Sequence, residues 1–487
     1  MTELVDAGIA RPGLREMAPR MKVLAETMPG YVAELESWQA KAREYGDRHV
    51  RPRALEIDAK CARDPRYFDW DLIRQSTPYG FLSMSVPKGA GGGGTLTTAL
   101  AIVMEELCAA CSGVANVFGA NGLGLSGMLL GLDFYHLDRA LADLARGDRR
   151  GEPVIFAAAI TEPLAGSDVE DARYLKSARL MTEARPVAGG YLLNGRKVFI
   201  SNGSVARYVT VIAPLDRSRP LETMSGFLVR AGDKGFSVGR VEEKMGMKAC
   251  PAAELVFEDC FVPRENIQGR EGEAVRATEM VLGASRGPVG AISTGVARGA
   301  FERVVEFAKA KRDGGRRLID RQWVQLRLAD MARRIHVARQ AYLDACMSFD
   351  FQGVPKLMKT LTGRAFLDWT PAAVRRSGAV TRIARSEPVH RSMRAMQEKL
   401  LDSADQRHIQ QYSSMAKITG SDVAMEVAYD ALQIAGLEAS LHRHELEKIY
   451  RDAKLTQIYE GTNQLNRHNV FQHLFPGECE YGGPDDE

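Results

Sequence analysis

The residues best suited to chemistry lie near the C-terminus, in Gln457-Ile458-Tyr459-Glu460-Gly461-Thr462-Asn463-Gln464. Leu446, Ile449, Tyr450 and Ala453 recur at helical spacing before this stretch, and Thr462 and Asn463 offer capping oxygens for a new helix after it. Glu460 is therefore expected on a bend between two helices, with few other ionisable groups beside it. A carboxylate held against apolar neighbours and a helix C-terminus has its pKa raised toward neutrality, which suits a general base. A solvated glutamate in a turn is the plainer alternative for the same string.

The elements that must position such a base can be read from texture. With 487 residues, 45% of them hydrophobic, the chain can bury a large core and fold as two or three domains. Residues 1–153 read as mostly helical. Residues 154–269 read as short β-rich runs in a small sandwich or barrel: Val154 to Ile160, Tyr191 to Leu193, Arg196 to Ile200, Tyr208 to Ile212, Gly226 to Val229 and Ala253 to Phe257. Residues 270–487 read as long amphipathic helices in a bundle. The fold class is thus α+β multidomain.

Several classes of function are excluded. A net charge of +3 without a concentrated basic face argues against nucleic acid. Seven scattered cysteines (Cys61, Cys108, Cys111, Cys250, Cys260, Cys346, Cys479) form no disulfide framework, and the lone pair Cys108 and Cys111 builds no zinc site. His442 and His444 lack the company a metal needs, so no metal is expected. No GxSxG is present. Gly122-Leu123-Gly124-Leu125-Ser126-Gly127 matches a dinucleotide fingerprint only formally, because a helical run precedes it where a strand is required. The glycines at 91–94 read as a loop. No run approaches the ~20 apolar residues of a membrane span, and the N-terminus shows no signal core, so a cytoplasmic location is expected. Residues 351–412 carry eleven Lys and Arg against five Asp and Glu, a basic segment of net +6.

Taken together with Arg451-Asp452-Ala453-Lys454, the Glu460 stretch resembles the C-terminal signature of the FAD-dependent acyl-CoA dehydrogenases. Further similarities follow in order along the chain: Glu105-Glu106-Leu107, Ala159-Ile160-Thr161-Glu162-Pro163-Leu164-Ala165-Gly166-Ser167-Asp168, Lys197-Val198-Phe199-Ile200-Ser201-Asn202-Gly203, Lys244-Met245-Gly246 and the run from Glu254 to Gly269. The family usually has Trp where Phe199 stands. The resemblance implies an N-terminal helical domain, a middle β domain and a C-terminal helical bundle, with FAD as cofactor. It assigns Ile160, Thr161, Phe199, Ile200, Ser201, Thr462 and Gln464 to the flavin, and Ser167, Arg286 and Gly461 to the acyl-CoA substrate. Glu460 would remove the α-proton while its backbone N–H and a ribityl hydroxyl of FAD bind the thioester carbonyl. A hydride would pass to the flavin, leaving a 2-enoyl-CoA, and an electron-transfer flavoprotein would accept the electrons. A homodimer or homotetramer is implied, possibly a hetero-oligomer.

Two elements that resemble the family's cross-subunit FAD contacts are altered. The usual Arg-x-x-Phe-Gly aligns with Lys311-Arg312-Asp313-Gly314-Gly315, followed by Gln322; the usual Gln-x-x-Gly-Gly-x-Gly aligns with Gln433-Ile434-Ala435-Gly436-Leu437-Glu438-Ala439. Lysine offers a point charge where arginine offers a fork, and a side chain at Leu437 blocks close backbone approach to a diphosphate. Besides the dehydrogenase, the same pattern admits an acyl-CoA oxidase, a decarboxylating dicarboxylyl-CoA dehydrogenase, or a non-catalytic half-site subunit.

Overall fold

The texture change along the chain becomes two β-sheets set between helical layers. The computed structural model describes residues 11–130, 136–353, 374, 377, 379–380, 383, 386–401 and 404–475. Cys479 and the 354–373 part of the basic segment lie outside the described residues. The long helices are α1 (Pro29–Tyr45), α2 (Thr97–Leu130), α3 (Ala274–Ala310), α4 (Gln322–Gln352), α5 (Ala404–Ala435), α6 (Leu446–Leu455) and α7 (Asn463–Leu474). Helix α3 is the central strut, packed along both α2 and α5.

Two buried glutamates lock these helices together. Glu105 on α2 accepts from Arg298 on α3 at 3.1 Å and from Arg339 on α4 at 2.7 Å, while Glu106 accepts from Arg298 at 2.7 Å and from Arg43 on α1 at 2.9 Å. Opposed charges hold Glu106 down near 2 despite full burial. Removing one partner of such a network leaves a buried charge and costs roughly 3–5 kcal/mol.

Helix α2 corrects one expectation. It is 34 residues long and apolar enough to cross a membrane by composition, but 94% of its most apolar window is buried inside the fold. Alanine, glycine and cysteine let it sit between layers. The formal dinucleotide fingerprint lies within it, and a Cβ on Gly124 would stand 2.8 Å from Phe156, so that glycine serves close packing on the β layer.

The strands are β1 (Phe156–Ala159), β2 (Glu183–Val187), β3 (Gly190–Ser201), β4 (Tyr208–Pro214), β5 (Met224–Arg230), β6 (Phe236–Val241), β7 (Ala252–Pro263) and β8 (Ile267–Gln268). They form one sheet in the order β1-β4-β5-β8 and another in the order β2-β3-β7-β6, with β1 and β4 parallel and every other pair antiparallel. The break expected at Asn194 is instead a bulge inside one strand, with Asn194 bonded across to Asp259 at 2.8 and 3.1 Å.

Candidate active site

The bend carrying Glu460 is built by two successive residues in the left-handed region, Glu460 (φ 57°) and Gly461 (φ 76°). Helix α6 ends just before it, and the Thr462 hydroxyl caps α7 by accepting from the Leu465 N–H at 3.3 Å. Glycine is required at 461: a Cβ there would stand 3.0 Å from Glu170 Oε2 and from Leu465. Glutamate at 460 has no such freedom and is held there under strain of roughly 1–3 kcal/mol. Asn466 clamps the turn, donating to the carbonyls of Gly461 at 2.9 Å and Thr462 at 3.0 Å.

The side chain of Glu460 opens into a cavity of about 670 Å³ enclosed by α2, α3, the β layer and the bend. Its Oε2 accepts from the Ser285 hydroxyl at 2.7 Å. Burial pushes its carboxyl above the usual range, against the opposing pull of Ser285, Arg286 and Lys417. The expectation of few ionisable neighbours is corrected here. Arg286 is only 3% exposed and directs Nε at the Glu460 carbonyl, 3.4 Å away. Glu170 lines the same cavity, its carboxyl pushed up to about 7 by burial and by Glu460. Lys417 is buried, donates to Asn463 Oδ1 at 2.6 Å, and is pushed down to about 7 by burial. Ser285, Glu170 and Lys417 went unnoticed in the sequence because they lie on three segments far apart in the chain, with no shared spacing.

The opposite wall is a shelf from the β layer. The Lys197 ammonium, buried on β3, donates to the Ile160 carbonyl at 2.8 Å and to Glu162 at 2.7 Å, and the Val198 N–H donates to the Thr161 carbonyl at 2.9 Å. These bonds place Ile160 and Thr161 beside Phe199, Ile200 and Ser201, and all five line the cavity with Ser167, Glu460 and Thr462. Phe199 is strained (φ 57°) and 62% exposed; Met245 and Ile458, also on the lining, are 54% and 50% exposed. Large apolar side chains left open around one cavity, with hydroxyls of Thr161 and Ser201 at hand, fit a planar aromatic cofactor with a heteroatom edge.

The remaining expected cofactor residues are elsewhere. Gln464 is exposed on α7 and does not line the cavity. Lys311, Arg312, Gln322, Gln433 and Gly436 are all exposed, on the outside of the helical part. The two altered elements adjoin there, joined by a Lys311–Glu438 ion pair, while Arg312 donates to the Gly315 carbonyl at 3.0 Å. Leu437 stands 95% exposed.

A helical layer, a two-sheet β layer and a helical bundle meet at a half-buried glutamate, and the comparisons give this arrangement its class, the flavin-dependent oxidoreductases of acyl thioesters. Family descriptions of the acyl-CoA dehydrogenase N-terminal, middle and C-terminal domains match residues 33–147, 157–260, and 275–397 with 378–475. The chain belongs to the FAD-dependent acyl-CoA dehydrogenase family, and its general chemistry is FAD-based oxidoreduction at a CH–CH bond. It is 32% identical to the cyclohex-1-ene-1-carbonyl-CoA dehydrogenase of Geobacter metallireducens over 87% of this chain and 93% of that protein. It is 29% identical to a probable acyl-CoA dehydrogenase, fadE25, of Mycobacterium bovis over 89% of this chain and 93% of the relative. Among solved structures, butyryl-CoA dehydrogenase from Megasphaera elsdenii superposes with a TM-score of 0.71 at 26% identity, covering 91% of this chain and 98% of that one.

Proposed function

We propose that the chain dehydrogenates an acyl-CoA thioester between its α and β carbons to give the 2-enoyl-CoA, with Glu460 as the α-proton base. The observation that carries this reading is the half-buried Glu460 carboxyl on the same cavity as the apolar shelf at Phe199. An α-C–H of a thioester is weakly acidic, so the base must be ionised, dry and placed. The Ser285 hydroxyl orients one oxygen of Glu460, and the cation of Arg286 behind the bend favours the ionised form. The backbone N–H of Glu460 is assigned to the thioester carbonyl, where it stabilises charge as the proton leaves. Bound FAD supplies the acceptor for the β-hydride. Ile160, Thr161, Phe199, Ile200, Ser201 and Thr462 are assigned to hold it, and Ser167, Arg286 and Gly461 to the acyl-CoA side. The division into residues 1–153, 154–269 and 270–487 and an electron-transfer flavoprotein as acceptor belong to the same reading.

One observation favours a second reading. Lys311 is engaged by Glu438, and Leu437 occupies the place of a glycine, so the outer FAD contacts depend on a partner's complement, as in a half-site subunit of a hetero-oligomer. The visible spectrum of the protein purified alone separates the two. A yellow protein bleached anaerobically by acyl-CoA, with Glu460→Gln yellow but not bleached, supports the dehydrogenase. A colourless protein that takes up no added FAD overturns it in favour of the half-site.

A further inference from the structure

A second cavity, of about 690 Å³, opens beside the β layer and shares no lining residue with the one at Glu460. Both use one face of the sheet β1-β4-β5-β8. Along β4 and β5, Thr210, Ile212 and Gly226 line the Glu460 cavity, and Tyr208, Leu228 and Arg230 continue the same face into the second. Its other wall is the short helix Ala142–Arg150, which brings in Asp143 and Arg146. Four arginines, Arg139, Arg146, Arg207 and Arg230, surround this cavity against two acids, Asp143 and Asp233.

Neither acid answers the Arg230 side chain. Asp143 is already occupied, accepting from Arg146 at 3.3 Å, from Arg207 at 3.1 Å and from the Tyr208 hydroxyl at 3.1 Å. Asp233 accepts from the backbone N–H of Arg230 at 2.8 Å, and the Arg230 guanidinium has no hydrogen bond or ion pair among the described residues. It stands in register across from Tyr208, beside two guanidiniums that share one carboxylate. The described lining thus carries a surplus of two positive charges. Beneath it the floor is apolar: Leu228 is buried, and the Tyr208 ring stacks on Phe156 with centroids 4.9 Å apart.

We propose that this cavity binds a phosphate monoester, with the phosphate among Arg146, Arg207 and Arg230 and the organic body on the Leu228 and Tyr208 floor. Charge decides the class. A phosphate monoester carries nearly two negative charges at neutral pH and cancels the surplus, where a carboxylate would leave one positive charge over. The donors are guanidinium forks with no lysine among them, and such forks match the oxygens of phosphate. The volume is that of a small-molecule site, more than a bare ion fills.

The test is equilibrium binding to the FAD-loaded protein, with phenyl phosphate, AMP and inorganic phosphate as probes and adenosine as the uncharged control. The two esters should bind saturably at one per chain, ahead of inorganic phosphate, and adenosine should not bind. Arg230→Ala breaks no side-chain contact among the described residues. It should weaken ester binding about tenfold to a hundredfold, with flavin content and unfolding midpoint unchanged. Added salt should weaken the binding further. Inorganic phosphate bound as tightly as either ester overturns the ester and leaves a site for the free ion. No saturable binding, or binding that Arg230→Ala leaves unchanged, overturns the site itself. None of these outcomes depends on turnover, so failure here leaves the reading of Glu460 untouched.

Discussion

The cavity at Glu460 and the outer surface at Lys311 and Gly436 resemble two halves of one cofactor site, yet the structure treats them oppositely. In the cavity Glu460 is half-buried, hydrogen-bonded and held at positive φ, and the facing wall is tied by hydrogen bonds from Lys197 and Val198 to the Ile160–Thr161 backbone. On the outer surface the corresponding residues are exposed, and the charge of Lys311 is paired with Glu438. The proposed chemistry lies among half-buried and buried groups, where each charge acts strongly, and the outer residues lie where water screens each contact. A site can thus keep its reaction while changing how tightly, or with whose help, it holds the group that accepts the electrons.

The largest effect should come from the cavity. Glu460→Gln is expected to lower the rate of anaerobic flavin bleaching by acyl-CoA roughly 10²–10⁴-fold without loss of folding, as read by stopped-flow absorbance. Gly461→Ala adds a side chain at φ 76° among tight neighbours. It should cost roughly 1–3 kcal/mol in thermal or denaturant unfolding, and it displaces the base as well. Ser285→Ala removes the hydroxyl that lowers the Glu460 pKa. A base must be ionised to act, and its folded pKa already lies above the ordinary value, so activity falls as pH drops through it. Without Ser285 that fall begins at higher pH, by up to about one unit, in the pH profile of kcat/KM. The smallest effect belongs to the outer surface. Lys311→Ala should change stability by less than about 1 kcal/mol, because the pair is solvated. Leu437→Gly should leave stability within about 0.5 kcal/mol and raise the flavin content retained through gel filtration. If Lys311→Ala strips the flavin outright, the contrast between the two regions fails.

What the sequence made legible was local. Leu446 to Ala453 and the Thr462 cap mark the two helices and the bend between them, and short β-rich runs mark strands β1, β3, β4, β5 and β7. Strands β2 and β6 escaped notice since they are edge strands whose exposed residues, such as Arg185 and Pro186, blur the period. The charge cluster escaped for a different reason. Ser285 on α3 and Lys417 on α5 meet at the bend, where Glu170 arrives on the turn Ser167–Glu170, and no spacing within one segment encodes that meeting. The long apolar helix α2 was misjudged because alanine and glycine lower its apparent apolarity while suiting it to a crowded interior.

The left-handed backbone at Glu460 bears on how such a chain would drift. At both positions of the bend, stability by itself selects glycine, which accepts positive φ without strain. The chain has glycine at the second position and bears the strain at the first. A copy released from selection for catalysis would have an easy downhill route at that codon, gaining stability by giving up the carboxylate. Glutamate held there against its backbone preference is what the proposed role as base predicts.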